Sequence, residues 1–178
     1  VAVVGETIVA LHLDPLEAPL LTEDNWSEAL YELARIRKRV EFPGQLVSYP
    51  WELVQRNAEQ ITKDFRLRGL RAQTIDFGPQ VACLGPPENI CVAATAELHP
   101  FVVLDARRGP ISIEAGASVQ PFTRIGGPCH IGQVTQLFRA HVKEGSTIGP
   151  MCRVGGEIEA SILHGYANKY HEGFLGHS

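Results

Sequence analysis

The chain has 178 residues, of which 44% are hydrophobic, and a formal net charge of −4. This length and content allow one good core or two small ones. The 16 lysines and arginines are spread out rather than gathered into the basic stripe that nucleic-acid binding usually needs, and no run of about 18 apolar residues predicts a membrane span.

The first seventy residues predict a small α+β segment. Residues 1–13 alternate apolar and polar side chains around Gly5 and predict a β-hairpin. Residues 25–40 predict a helix with Thr22 or Asp24 as its N-cap, ended by the FPG sequence at 42–44. A second helix should begin at Pro50. Its apolar face would contain Val54, Ala58, Ile61 and Phe65.

The second half of the chain has a period of six. Aliphatic residues recur every six positions, and the period continues after a slip of one residue. Small residues stand four positions after these aliphatics, and glycine often follows them directly. The aliphatic column is Ile113, Val119, Ile125, Ile131, Leu137, Val142, Ile148 and Val154, and the small column is Ala117, Thr123, Cys129, Thr135, Ser146 and Cys152. This hexapeptide repeat predicts a parallel β-helix in which three hexads form one coil of about eighteen residues.

The physical basis is that one coil cannot bury its own aliphatic side chains, so coils must stack. Period six matches neither 3.6 nor 3.5, which excludes an amphipathic helix. The repeat should begin earlier, at Val92, Leu98 and Leu104, with 105–110 as a loop. After Val154 the period dissolves, and residues 164–178 collect histidines, a lysine, an asparagine and aromatics, which is typical of a functional loop. We expect His130 and His141 at turns or corners.

The four cysteines predict reduced, buried thiols in a cytoplasmic protein. None forms a CxxC pair, and their spacing fits no zinc pattern. They are Cys83, Cys91, Cys129 and Cys152. The chain starts with Val1 and its only methionine is Met151, so we expect a fragment or a processed chain.

Three stretches carry a family resemblance. They are GPCHIG at 127–132, KEGSTIGPMCRVGGEIE at 143–159 and HGYANKYHEGFLGHS at 164–178, and 48–65 is similar to a domain-joining segment. They resemble bacterial sugar-phosphate nucleotidyltransferases with a left-handed β-helix, of the N-acetylglucosamine-1-phosphate uridyltransferase/glucosamine-1-phosphate acetyltransferase type. The resemblance implies a cytoplasmic enzyme of nucleotide-sugar biosynthesis for the cell envelope.

The resemblance also implies a domain organisation. Residues 1–70 would be the end of a nucleotidyltransferase-like domain plus a linker helix, and 71–178 a left-handed β-helix truncated at its C-terminal end. The fold class is therefore mainly β. Residues 1–70 contain no glycine-rich phosphate loop, so Mg²⁺ is expected only for a nucleotidyltransferase site outside this chain. The resemblance further implies a homotrimer with sites between subunits.

By resemblance, residues 164–178 form the acceptor half of an acyl-transfer site. His177 would be the general base, a role that suits a neutral imidazole. Acetyl-CoA would be the acyl donor, and sugar phosphates and nucleotides the other small-molecule partners. The predicted substrate-binding residues are Lys143, Tyr166, Asn168, Lys169 and His171.

Two other readings stay open. The β-helix could be a trimerisation or regulatory module of an enzyme that transfers nucleotides but never acyl groups. Alternatively, the protein could bind a metal: His164, His171 and His177 could form the site, although no carboxylate or cysteine cluster supports them, or the chain could be a carbonic-anhydrase-like β-helix with an interfacial zinc. We therefore predict no metal site in this chain.

Overall fold

A computed structural model describes residues 1–70 and 77–178, apart from the side chain of Leu20, so the first six residues of the predicted 71–178 segment lie outside it. The described chain forms two compact units, residues 1–48 and 49–178. The second helix therefore belongs to the same unit as the repeat.

The first unit is a small sheet with one helix. It contains β1 (Ala2–Val4), β2 (Thr7–Ala10), a 3-10 turn (Ala18–Leu20), α1 (Trp26–Arg35) and β3 (Val40–Glu41). The hairpin is confirmed, because β1 and β2 pair antiparallel around Gly5, whose φ is +57°. β3 then pairs with β1 in parallel.

Two details of α1 were predicted wrongly. The N-cap is Asn25, not Thr22 or Asp24, and its side chain makes no capping hydrogen bond to the helix. It instead accepts a hydrogen bond from the backbone N–H of Thr22. The helix ends at Arg35, because the chain must extend before Val40 to form β3.

The second unit begins with α2 (Pro50–Leu67), which starts where predicted. A parallel β-helix of about five turns follows, and each turn contributes a strand to each of three faces. The first face contains β5 (Ile90–Val92), β8 (Ile111–Ile113), β11 (Cys129–Ile131), β13 (Ser146–Ile148) and β15 (Ile162–Leu163). The second face contains β6 (Glu97–Leu98), β9 (Ser118–Val119), the first parts of β12 (Gln136–Val142) and β14 (Arg153–Glu159), and β16 (Asn168–Lys169). The third face contains β4 (Ala82–Leu84), β7 (Val103–Asp105), β10 (Arg124–Gly126), the second parts of β12 and β14, and β17 (Phe174–Gly176). A 3-10 turn, Pro87–Asn89, precedes β5.

The core is the predicted aliphatic column. All eight of its members from Ile113 to Val154 are no more than 2% exposed, and the small corner residues are equally buried. A Cβ on Gly132 would lie 2.6 Å from the carbonyl carbon of Gly149 in the next coil, so close backbone approach explains this glycine. The mainly β fold is confirmed and agrees with a left-handed β-helix after a small α+β segment.

Coil length explains where the sequence pattern failed. Ile111 pairs with Cys129, which is the predicted spacing of 18 residues, but Thr147 pairs with Ile162, a spacing of only 15. The shorter coils lose one to three residues without losing strands. The chain after Val154 is therefore not a loop that leaves the solenoid: β15, β16 and β17 form one more coil.

Four side-chain predictions also change. His130 and His141 lie within β11 and β12, not at turns, because their outward-facing positions belong to strands. Cys129 and Cys152 are buried as predicted, but Cys91 is only half-buried and Cys83 is exposed.

Candidate functional site

The corner between the second and third faces carries an open cleft of about 760 Å³ in the last coils. Polar and aromatic side chains from three coils meet there, because coils stack equivalent corners on top of one another. The ring of Phe138 meets the ring of Tyr170 edge-on, with 4.7 Å between centroids. The lining residues are Gln136, Phe138, Arg153, Asn168, Lys169, Tyr170, His171, Glu172, Gly173 and Phe174.

A second cavity of about 410 Å³ shares one wall with this cleft. Phe138, Tyr170, His171 and Glu172 line both, and Phe122 and Arg139 extend the wall toward earlier coils. The cleft is therefore one part of a longer aromatic and polar corner. Such mixed lining suits a ligand that has both apolar and hydrogen-bonding surfaces.

Lys169 holds the backbone of this corner. Its Nζ donates to three carbonyl oxygens, those of Gly155 at 2.7 Å, His171 at 2.8 Å and Gly173 at 2.8 Å. An ammonium group has three donors, so all of them are used. These bonds fix the turn that carries Tyr170, His171 and Glu172, and they give Lys169 a positioning role in this structure.

His171 is the predicted site residue that faces the cleft with an exposed imidazole. Its ring lies 5.4 Å from the ring of Tyr170, edge to face. Asn168 adds an exposed amide from β16. The structure thus brings together Asn168, Lys169 and His171.

Lys143 and His177 lie at the corner that follows the third face, where the chain turns back toward the first face. The Nζ of Lys143 is paired with Glu157 and lies 3.1 Å from the carboxylate of Glu159. The hydrogen bonds that Lys143 donates to these carboxylates raise the pKa of Lys143, and Lys143 in turn lowers the pKa of Glu157. His177 is exposed, and its backbone N–H donates to the carbonyl oxygen of Glu159 at 3.0 Å.

Tyr166 lies at a different corner, between the first and second faces. Its side chain is 76% exposed and its φ is +65°. Neither Tyr166, Lys143 nor His177 lines the cleft. Within one chain, the six predicted site residues therefore fall into three places.

Sequence reasoning missed several residues of the cleft. Gln136, Phe138 and Arg153 come from earlier coils that are distant in sequence from residues 164–178. The spacing between coils could have identified them, because Gln136 pairs with Arg153, and Arg153 with Asn168, on neighbouring strands. That signal needed coil lengths of 17 and 15, which a strict hexad count does not give.

The third face carries a separate charged groove of about 360 Å³, which includes Lys143, Arg124 and His141. Asp105 lies at its edge, and its carboxylate accepts hydrogen bonds from Arg107 at 2.7 and 2.8 Å. Arg124 donates to the same carboxylate. The hydrogen bonds from Arg107 hold the pKa of Asp105 well below its ordinary value, despite burial of the carboxyl group.

Within residues 1–70 and 77–178, no three histidine, cysteine or acidic side chains lie together in a position to hold a metal ion. Neither described helix combines the length and the apolar character that crossing a bilayer requires.

Fold and cleft together define a parallel β-helix protein with an aromatic and polar corner cleft. A scan against protein-family models finds no match for the chain, and a search of the curated proteins finds no similar sequence.

Proposed function

We propose that the chain is the hexapeptide-repeat part of a sugar-phosphate nucleotidyltransferase/acyltransferase, and that the corner cleft binds the acceptor sugar phosphate. The observation that carries this proposal is the composition of the cleft. The rings of Phe138 and Tyr170 suit the apolar faces of a sugar ring, while Asn168 and Gln136 suit its hydroxyl groups. The guanidinium of Arg153 suits a phosphate.

The proposed reaction is acetyl transfer from acetyl-CoA to a sugar amine. The amine nitrogen attacks the thioester carbonyl, the N–C bond forms, the C–S bond breaks and the CoA thiolate leaves. A histidine takes the proton that the amine loses. His171 is the candidate within the cleft, and His177 remains the candidate from the family resemblance.

A direct assay separates the two histidines. The full-length protein and its His171→Ala and His177→Ala variants would be tested for acetylation of glucosamine-1-phosphate. We expect the loss of a general base to lower kcat by roughly 10²–10⁴-fold. An unchanged rate in either variant would remove that histidine from the mechanism, and an inactive wild-type protein would contradict the acyltransferase proposal.

A second function, a non-catalytic trimerisation or regulatory module, is favoured by one observation. The ammonium groups of Lys143 and Lys169 are both engaged by internal acceptors, so neither is poised for a phosphate. Under this reading the intact protein transfers nucleotides only, and a Mg²⁺-dependent site would lie outside this chain.

Thermal shifts discriminate between the two functions. If the cleft binds the acceptor, glucosamine-1-phosphate should raise the Tm of the wild-type protein, and acetyl-CoA should do so for its own site. Arg153→Met should abolish the shift with glucosamine-1-phosphate but leave the starting Tm nearly unchanged, because Arg153 is exposed. Lys169→Met should lower the starting Tm, because three carbonyl groups lose their donor. No shift of the wild-type Tm with either compound would favour the non-catalytic module.

A further inference from the structure

The first face of the β-helix carries α2, which packs against β11 and β13. Ile61 and Phe65 are each 7% exposed in this interface. The side-chain amide of Asn57 donates to the carbonyl oxygen of Gly145 at 2.7 Å and accepts from the hydroxyl of Thr147 at 3.0 Å. Arg68, just after the helix, donates to Glu114 at 2.9 Å. The attachment combines two buried apolar side chains with a short polar network.

A cavity of about 230 Å³ lies between α2 and this face. His130 and Ser112, on neighbouring strands, line its floor, and Ser112 is only 6% exposed. The hydroxyl of Ser112 is 2.8 Å from the Nδ1 of His130. The other ring nitrogen, Nε2, is 3.9 Å from the carboxylate of Glu114, too far for a hydrogen bond. The imidazole therefore has one firm partner and is covered by a helix.

The charges around His130 come from both sides of the interface. Glu114 follows β8 on the β-helix side, Asp64 and Arg68 come from α2 and its end, and Thr147 on β13 is neutral. Burial lowers the pKa of His130, and Arg68 lowers it further. Glu114 and Asp64 act in the opposite direction but do not overcome burial.

We propose that α2 is a proton-sensitive strap: protonation of His130 weakens the attachment of α2 to the first face and favours release of the helix. When α2 is docked, an imidazolium would be buried beside the Arg68 guanidinium, with one hydroxyl as its firm partner. When α2 is released, the imidazolium would be hydrated and would keep Glu114 nearby. A proton thus binds the released state better and shifts the population toward it. This inference does not depend on the proposed enzymatic function.

The sign of the pH dependence follows from the lowered pKa. Above the ordinary value of 6.5, His130 is neutral whether α2 is docked or released, so docking is strongest. As the pH falls below 6.5, the released state takes up the proton first and docking weakens. The effect levels off once the pH is below the pKa of the docked state. A single proton limits the change to about tenfold in the docking equilibrium per pH unit.

Hydrogen exchange on the full chain tests the strap. Amide protection in α2, corrected for the intrinsic pH dependence of exchange, should fall as the pH is lowered from about 7.5 to 5.5, while protection in β11 and β13 stays constant. His130→Asn retains a polar group that can reach Ser112 but cannot titrate, and it should remove the pH dependence. His141→Asn, at an exposed position of the third face, should retain it. Constant protection of α2 in the wild-type protein, or an equal loss in His130→Asn, would overturn the proposal.

A second measurement needs no variant. In an NMR titration of the wild-type protein with labelled histidine side chains, the midpoint of His130 should lie below the ordinary histidine value of 6.5. The α2 amide signals should change with the same midpoint as His130. A His130 midpoint at or above 6.5 would contradict the strap even if His130→Asn did not fold.

Discussion

Asp105 is a carboxylate that the fold buries at the end of β7 and then neutralises from two coils. Arg107 follows it in the same loop, and Arg124 reaches it from the next coil on the third face. The sequence predicted a loop at 105–110, and the pairing with Arg107 is local. The pairing with Arg124 depends on the 21-residue spacing between β7 and β10, which no hexad count provides.

Asp105→Asn should destabilise the second unit at neutral pH. The variant loses the charge-assisted hydrogen bonds to both arginines, at a cost of roughly 1–3 kcal/mol. Because the folded-state pKa of Asp105 is lowered, its contribution is present above the ordinary value of 3.8 and is lost as the pH falls below it. Urea unfolding of wild type and variant at pH 7 and near pH 3 should therefore show a difference that shrinks in acid.

Glu144→Gln is the matched control for Asp105→Asn. Glu144 pairs with Arg108 across the same groove, but its side chain is 41% exposed. Exposed ion pairs contribute about 0–1 kcal/mol, so this variant should resemble the wild type. An Asp105→Asn variant as stable as Glu144→Gln would show that burial of Asp105 is not energetically important.

At the level of elements, hexads predicted the strands well where the coil keeps its regular length, and poorly where it does not. β12 and β14 each run for seven residues across a corner, with Arg139 and Gly156 at positive φ. These tighter corners shorten the coil and shift the pattern. The candidate site lies in that shortened region, which is why the sequence predicted residues of the last coil, among them His171, but not Gln136 and Arg153 from earlier coils.

For Lys169, the sequence predicted the residue but not the role that it has in the structure. By resemblance, its residue type was consistent with substrate binding. In the structure its ammonium group instead donates to the carbonyl oxygen of Gly155 in the preceding coil and to those of His171 and Gly173 in the following turn. Every residue has a backbone carbonyl group, so the sequence does not show which of them will accept a hydrogen bond from Lys169. Only the three-dimensional path of the turn reveals the positioning role.

The attachment of α2 to the first face can be tested by truncating one buried side chain. Phe65→Ala removes a buried ring from the interface with the first face, at a cost of about 3 kcal/mol. Since α2 lies outside the aliphatic core of the coils, we expect local release of the helix rather than global unfolding. Amide protection in α2 should fall roughly a hundredfold, while β8 and β11 keep theirs.

Leu67→Ala tests whether this effect is specific. Leu67 is on the same helix but is 83% exposed, so its truncation should leave α2 protection nearly unchanged. If Phe65→Ala instead lowered the protection of β8 and β11 as much as that of α2, the helix would be part of the cooperative core of the β-helix.

For the whole β-helix, stability comes from stacking each coil on its neighbours, so the middle coils should open only when several contacts are lost together. The accessibility of the cysteine thiols to a labelling reagent measures this opening of the coils. Cys83 is exposed, whereas Cys129 lies fully buried in β11, where burial raises its pKa to about 12. At pH 8 the buried thiol is almost entirely protonated as well as shielded, and the thiolate is the reactive form.

Thiol labelling followed by mass spectrometry should therefore modify Cys83 in the native protein and Cys129 only as the coils open. Ile131→Ala, in the same strand as Cys129, should accelerate labelling of Cys129 strongly, because removing a side chain that is fully buried costs about 3 kcal/mol. Met151→Ala, at a corner where the side chain is 50% exposed, should change labelling little. Labelling of Cys129 as fast as Cys83 in the native protein would mean that the middle coils open independently, because a cooperative stack exposes its interior thiol only in rare openings.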